Sequence, residues 1–261
     1  MTDDPVADGL RSPTPEERQA SAAFRVRFDE STPAGLIRTS VLLRYAADLA
    51  WIHSELRGMG RDWYRRRGLA WVVRAAQLDI LAPVADGDVV VGTTTPTAAR
   101  KVMARRRTTF RAGDGSEVAS LTMDWALTGA GGVPTRIPAE VGIAFGLDET
   151  GFSPIRVRAV PTGDPVTTLA IRVRPQELDP MGHVNNAVYL DWAEEAIRAT
   201  ATAAALAALT SIPRRWSIEY EGSAAPAADV RAIAWPSEVG WSCRILNADA
   251  GEPYASARLE A

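Results

Sequence analysis

The feature that most restricts this 261-residue sequence is that it repeats itself: a strand, a long helix and a run of strands occur twice. The first copy opens with Phe24-Arg25-Val26-Arg27-Phe28-Asp29-Glu30, in which apolar and polar residues alternate, the period of a half-buried strand over 24–30. Ser40 to Leu56 follows, with Leu42, Tyr45, Ala46, Leu49 and Ile52 at helical spacing and Gly58 and Gly60 just beyond; this predicts a helix and its stop. Extended segments are expected at 69–81, 88–95, 101–112 and 116–128, the last two joined by Gly113-Asp114-Gly115, a hairpin signal. The second copy is read as a strand at 167–175, a helix over 184–209, and strands at 214–222, 228–236, 238–246 and 252–260. Arg25-Val26-Arg27 and Arg172-Val173-Arg174 lie 147 residues apart, and Tyr45 and Tyr189 each sit in the helix that follows. A duplication of this kind sets the architecture. In each copy one helix must cover one face of a curved antiparallel sheet, because neither buries its apolar side alone. The expectation is an α+β chain of two like domains, 21–145 and 167–261. A linker is placed at 146–166, where Gly and Pro break the pattern, and residues 1–20 are read as a loose arm.

Charge and composition exclude several functions. The net charge of −3 removes the global basic footprint of a nucleic-acid binder. No apolar run is long enough to span a membrane. The first residues lack a positive segment followed by an apolar one, so no signal peptide is read and a cytoplasmic location is expected. The one cysteine, Cys243, forms no intrachain disulfide. It shares a strand face with Trp241 and Ile245 and is read as a small buried residue. The two histidines, His53 and His183, stand far apart in sequence, so a thiolate or imidazole metal site lacks ligands. No metal and no cofactor are expected. His53, inside the first helix, is read as a packed or interface residue.

The chemistry concentrates in Glu177-Leu178-Asp179-Pro180-Met181-Gly182-His183-Val184-Asn185-Asn186 and the helix that follows. Pro180 and Gly182 shape a tight loop, His183 stands at the mouth of the helix, and Asn185 and Asn186 are cap-type residues. The first turn of a helix offers unpaired N–H groups and a partial positive charge, suited to a thioester carbonyl and its developing oxyanion. Asp179, four residues before His183, is placed to attack that carbonyl or to activate water. Taken singly, the same residues also describe a capped loop with no chemistry.

The whole string is more specific than its parts. Asp-x-x-Gly-His-Val-Asn-Asn-x-x-Tyr-x-x-Trp, running from Asp179 to Trp192, resembles the signature of hotdog acyl thioesterases, both the 4-hydroxybenzoyl-CoA thioesterase superfamily and the acyl-acyl carrier protein thioesterases. Phe24 to Glu30, the helix around His53, Trp71-Val72-Val73-Arg74, and Trp125 followed by Arg136-Ile137-Pro138 are similar to the N-terminal domain of the carrier-protein enzymes. The resemblance covers roughly residues 24–260 and implies tandem hotdog domains, each a curved sheet wrapped around a long helix, with no cofactor. It implies hydrolysis of a fatty-acyl thioester of acyl carrier protein or coenzyme A. It places the catalytic pair on Asp179 and His183, with Asn185 at the helix mouth. Glu195 matches an acid of the family's helix, and either steers His183 or lies on a solvated face; Glu194 is expected to face solvent. Gly182, Val184, Asn186, Tyr189 and Trp192 fall at substrate-binding positions. Met181 stands where the plant-type enzymes carry Asn, and Ser223 and Ala224 stand where they carry an acid and a Cys.

By the 147-residue offset, Asp179 and His183 correspond to Thr32 and Leu36, so one active site per chain is expected. The N-terminal copy then supplies an acyl pocket and a pseudo-dimer interface; a homodimer of the chain is left open. A basic strip, from Arg61, Arg65, Arg66 and Arg67 to Arg100, Lys101, Arg105, Arg106, Arg107 and Arg111, is either a solvated surface or a dock for an acidic carrier. A hotdog enoyl-thioester hydratase and a non-catalytic acyl-thioester-binding protein are the rival readings.

Overall fold

The computed structural model describes residues 11–147, 151–158 and 167–261. Strand β1 (Ala20–Arg25) leads to helix α1 (Thr39–Leu56), the short helix α2 (Arg61–Arg66), and strands β2 (Ala70–Ile80), β3 (Val89–Arg100), β4 (Met103–Arg111) and β5 (Glu117–Thr128). Helix α3 (Ala139–Phe145) closes the first half. The second half carries β6 (Thr167–Arg172), α4 (Asn186–Arg198), α5 (Ala203–Thr210), β7 (Arg214–Tyr220), β8 (Asp229–Ser237), β9 (Gly240–Asn247) and β10 (Pro253–Glu260).

All ten strands form one antiparallel sheet, in the order β1-β3-β4-β5-β2-β7-β10-β9-β8-β6. That order is a palindrome of the duplication. Each half contributes its first, third, fourth, fifth and second strands, and the halves join where β2 pairs with β7, Leu78 opposite Trp216. Helix α1 packs on β1 and β3, α4 packs on β6, β8 and β9, and the two helices touch each other. The layers bury a continuous core that includes Leu42, Leu49, Phe110, Trp216 and Ile218. Tandem hotdog architecture, expected from the sequence, is what the chain adopts.

The duplication extends to individual hydrogen bonds. The Arg27 N–H donates to the Glu30 carboxylate at 3.0 Å, and the Arg174 N–H to the Glu177 carboxylate at 2.7 Å. The Arg38 N–H reaches the Glu30 carbonyl and the Asn185 N–H reaches the Glu177 carbonyl, each at 2.9 Å. On the helices, Arg44 and Asp191 are equivalent positions 147 residues apart, and they form an ion pair with each other at 3.2 Å. The pseudo-twofold axis therefore passes between them.

Four expectations about extent change. The first strand is Ala20–Arg25, not 24–30, and its counterpart ends at Arg172. Phe28 is 86% exposed. The alternation runs on in sequence, but the acid of Glu30 pulls residues 28–30 into a capped turn. The described part of the arm is not loose: the Glu17 carbonyl accepts from His53 and the Glu17 carboxylate pairs with Arg57. The helix expected over 184–209 is two helices, because Ala201 takes a φ of 54° and the Thr202 side chain caps the Ala205 N–H. Of the expected linker 146–166, residues 146–147 and 151–158 are described, and 148–150 and 159–166 lie outside the described residues. The Arg105 guanidinium holds the Ser153 carbonyl, and the Asp124 carboxylate accepts from the Ile155 N–H. The Glu219 carboxylate accepts from Val157 N–H and Arg156. The segment is thus tied to strands of both halves.

Candidate active site

The loop between β6 and α4 is held by its own polar groups. The Asp179 N–H donates to the His183 carbonyl at 2.8 Å, and the Gly182 N–H to the Asp179 carbonyl at 2.9 Å. Gly182 takes a φ of 77°, a conformation that costs glycine little. The Asp179 Oδ1 atom accepts from the N–H groups of Met181 at 2.8 Å and His183 at 3.3 Å. Among the described residues Oδ2 accepts nothing. Asp179 is half-buried, while Met181, Gly182 and the His183 side chain are exposed. The backbone brings Asp179 and His183 into one turn. The imidazole of His183 makes no hydrogen bond with a described residue.

Helix α4 starts at Asn186 beside this loop. The Asn185 side chain caps it by accepting from the Ala187 N–H at 3.0 Å, and the Val188 N–H bonds to the Asn185 carbonyl. The Asn186 backbone N–H has no partner among the described residues, and its buried side-chain nitrogen has none. The Asn186 carbonyl accepts from the Tyr220 hydroxyl at 2.9 Å. Beneath the loop, Tyr189 accepts from the Ala224 N–H at 2.8 Å and packs edge-on against Trp192 and Tyr220. Burial pushes the Tyr189 phenol up to about 12, with the Asp179 carboxylate nearby adding to the shift. Trp192 donates to the Glu177 carboxylate at 3.3 Å, so it braces the loop from within. Val184 is buried in the same core. Sequence reasoning missed Glu177 and Tyr220. The signal for Glu177 was present, since Glu30 occupies the equivalent place.

With that geometry in view, the relatives are informative. Residues 17–135 match the acyl-ACP thioesterase N-terminal domain, and residues 173–233 match the thioesterase-like superfamily. The N-terminal half thus matches the acyl-acyl carrier protein thioesterases and the C-terminal half the wider thioesterase-like superfamily. This thioesterase shares its fold with a putative oleoyl thioesterase of Lactobacillus plantarum, at 23% identity and a TM-score of 0.79 over 93% of this chain and 95% of that one. It is also similar to a 12:0-ACP thioesterase of Umbellularia californica, at 18% identity and 0.77, over 93% and 96% of the two chains. An acyl-ACP thioesterase of Bacteroides thetaiotaomicron gives 15% and 0.77, over 95% and 99%. No curated protein sequence matches. The class of reaction is fatty-acyl thioester hydrolysis.

Other predicted residues of the thioesterase fall elsewhere. Glu195 is exposed and lies about 14 Å along α4 from Asn186, at a rise of about 1.5 Å per residue, out of contact with His183. Glu194, expected to face solvent, is half-buried between the helices, where the Thr39 hydroxyl and Arg214 meet it; burial raises its carboxyl. Cys243 is fully buried, and burial pushes its thiol up to about 12, so it is not a nucleophile. Among the described residues no His, Cys, Asp and Glu cluster could hold a metal ion, and no helix is long and apolar enough to cross a membrane. His53 is buried, as read from the sequence. Its Nδ1 accepts from Arg106 at 2.9 Å, which leaves the proton on Nε2, 3.0 Å from the Glu17 carbonyl. Burial, with Arg106 adding, pushes this imidazole down to about 4.

The N-terminal half carries a narrow, partly open cavity of about 40 Å³ lined by Ala50, Trp51, Tyr64, Trp71, Trp125 and Phe145, with Arg106 in its wall. Thr39 meets Glu194 where Arg44 meets Asp191, so α1 and α4 run antiparallel. From the Arg44–Asp191 pair, Ala50 is about 9 Å along α1 and Asn186 about 7.5 Å back along α4, in the same direction. The cavity and the mouth of α4 thus lie at the same end of the helix pair.

Proposed function

We infer that Asp179 is the general base or nucleophile of this thioesterase, with His183, Asn185 and Asn186 completing its site. The observation that carries the reading is a half-buried carboxylate with one oxygen fixed by two backbone N–H groups and the other uncommitted, next to a helix mouth with unpaired donors. As base, Asp179 takes a proton from water, and the hydroxide adds to the thioester carbonyl. The oxyanion is received by the Asn186 N–H, aided by the positive end of α4. The C–S bond then breaks, the proton passes to the departing thiolate, and free acid and thiol leave. His183, exposed at the entrance, orients the water or the carbonyl. Asn185 sets the first turn. Gly182 permits the loop, and Val184, Tyr189 and Trp192 hold it from inside rather than contacting the reacting atoms. Glu195 has no part. No organic cofactor enters.

The acyl chain runs toward the N-terminal cavity, on the axial placement given above. The thiol side faces an acidic carrier protein, with coenzyme A as the alternative donor. Two members of the basic strip are not available for docking: Arg105 is paired with buried Asp124 and Arg106 turns inward. Exposed Arg65, Arg66, Arg100, Lys101 and Arg107 remain and suit an acidic partner by charge. A thiol-release screen across acyl lengths on both carriers tests the reading. Release from at least one series is expected; no release from any chain on either carrier would reject it.

A further inference from the structure

The wall of the N-terminal cavity is chemically unbalanced. β4 carries Arg105, Arg106 and Arg107 in succession, and adjacent strand residues point to opposite faces. Arg105 pairs with Asp124 on one face, Arg107 is exposed, and Arg106 turns into the cavity. Among the described residues no carboxylate lies within ion-pair distance of Arg106. One of its N–H groups donates to His53 Nδ1, and its guanidinium lies 5.1 Å from the Phe145 ring. A guanidinium has five N–H donors and no acceptor. The groups around it do not balance that surplus. The other polar side chains in the same wall are those of Arg105, whose charge is met by Asp124, and of Ser54, Tyr64 and the tryptophans. The buried indole N–H of Trp125 has no acceptor among the described residues. The rest of the lining is aromatic or aliphatic.

A purely hydrocarbon chain is a poor occupant for such a cavity. Filling it with methylenes strips water from a cation that has no counter-ion, and buried charges are tolerated when paired. The space inside the cavity, about 40 Å³, is a few times what one water needs, room for the narrow end of a chain. The missing partner is an oxygen acceptor carried at the far end of an otherwise apolar ligand. Burial lowers Arg106 to about 10, still charged at neutral pH, so an anionic acceptor is the best complement.

We propose that Arg106 selects acyl thioesters whose chain ends in a carboxylate, the guanidinium pairing with that remote group while the aromatic wall holds the methylenes. This deepens the thioesterase reading and rests on it for turnover, although the binding it requires does not depend on Asp179. Polar recognition at the end of a chain discriminates more strongly than an added or missing methylene, because the wrong ligand leaves a buried group unpaired.

The test compares length-matched coenzyme A thioesters ending in methyl, hydroxyl or carboxylate, with kcat/KM read by thiol release for the unaltered protein and for Arg106→Met. The carboxylate-ended series is expected to lead the methyl-ended one by about tenfold or more at its best length in the unaltered protein. Arg106→Met is expected to reverse that order. A methyl-ended preference at every length overturns the proposal without need of any variant, and equal loss on both series in a folded Arg106→Met protein also overturns it. If no coenzyme A thioester turns over, the cavity is judged by binding. Quenching of tryptophan fluorescence by a free dicarboxylic acid, more tightly than by the matching monocarboxylic acid, then supports the pocket; equal or weaker binding sinks it.

Discussion

Replacing Asp179 separates a loop cap from a catalytic group. Its Oδ1 atom accepts two backbone N–H groups, from Met181 and His183. Asp179→Asn keeps an acceptor oxygen at that place and removes the negative charge. Asn and Asp are near-equal as local caps, so the stability cost is expected to stay below about 1 kcal/mol. Asp179→Ala removes the acceptor and leaves two N–H groups to water at a half-exposed turn, a cost of about 1–2 kcal/mol. The chemistry divides differently. A positioned general base contributes about 10²- to 10⁴-fold, and neither Asn nor Ala can take a proton from water. Both variants are therefore expected to lose at least about 100-fold in kcat, although only one loses appreciable stability. Urea melts at neutral pH and thiol release on the best substrate of the screen give the two numbers. If Asp179→Asn keeps activity within twofold of the unaltered protein, the carboxylate is only a cap and the mechanism falls.

Two further outcomes follow from the packing. His53 has an imidazole lowered from 6.5 to about 4 by burial, with Arg106 next. A depressed value means its contribution is whole above pH 6.5 and drains away as pH falls toward 4, so moving from pH 7 to 4.5 costs roughly 2–3 kcal/mol through this group. Urea melts should show that loss and show most of it gone in His53→Leu; equal acid sensitivity in both proteins refutes the assignment. Gly92 lies on β3 under α1, where an added Cβ would stand 2.6 Å from Leu49 Cδ1 and 3.0 Å from the Phe110 ring. Gly92→Ala is expected to lower stability by about 1–3 kcal/mol through overpacking, and a melt within 0.5 kcal/mol of the unaltered protein, roughly the spread of neutral surface changes, would contradict the tight contact.

What could be read in the sequence was periodic. Alternation marked the strands from Ala70 to Thr128 and the four after Arg214 with small errors at the ends, because one face of each is buried. Boundaries failed where a side-chain cap overrode periodicity. Phe28 continues the alternation of β1 yet sits in a turn held by Glu30, and the helix after Asn186 stops although Ala-rich sequence continues to Leu209. The Asp179 loop was legible because its residues are contiguous. The cavity was not, since its walls come from α1, α2, β2, β3, β4, β5 and α3. One clue to it was there: three consecutive arginines in a strand cannot all face water.

The two halves show what the fold itself asks of position 179. In the first half Thr32 occupies that place, and the turn closes in the same way: the Thr32 N–H donates to the Leu36 carbonyl at 2.7 Å and the Gly35 N–H to the Thr32 carbonyl at 2.8 Å. The Thr32 hydroxyl accepts from the Leu36 N–H at 3.4 Å, as the Asp179 carboxylate accepts from the His183 N–H at 3.3 Å. A hydroxyl is thus enough to hold this turn in place before a long helix. It has no charge and cannot take a proton from water near neutral pH. The half with the threonine carries leucine where the other carries histidine, and it holds the cavity, with Arg106 in its wall, instead of the loop chemistry. The carboxylate of Asp179 is therefore more than folding requires, and thioester hydrolysis is a reaction that uses the excess.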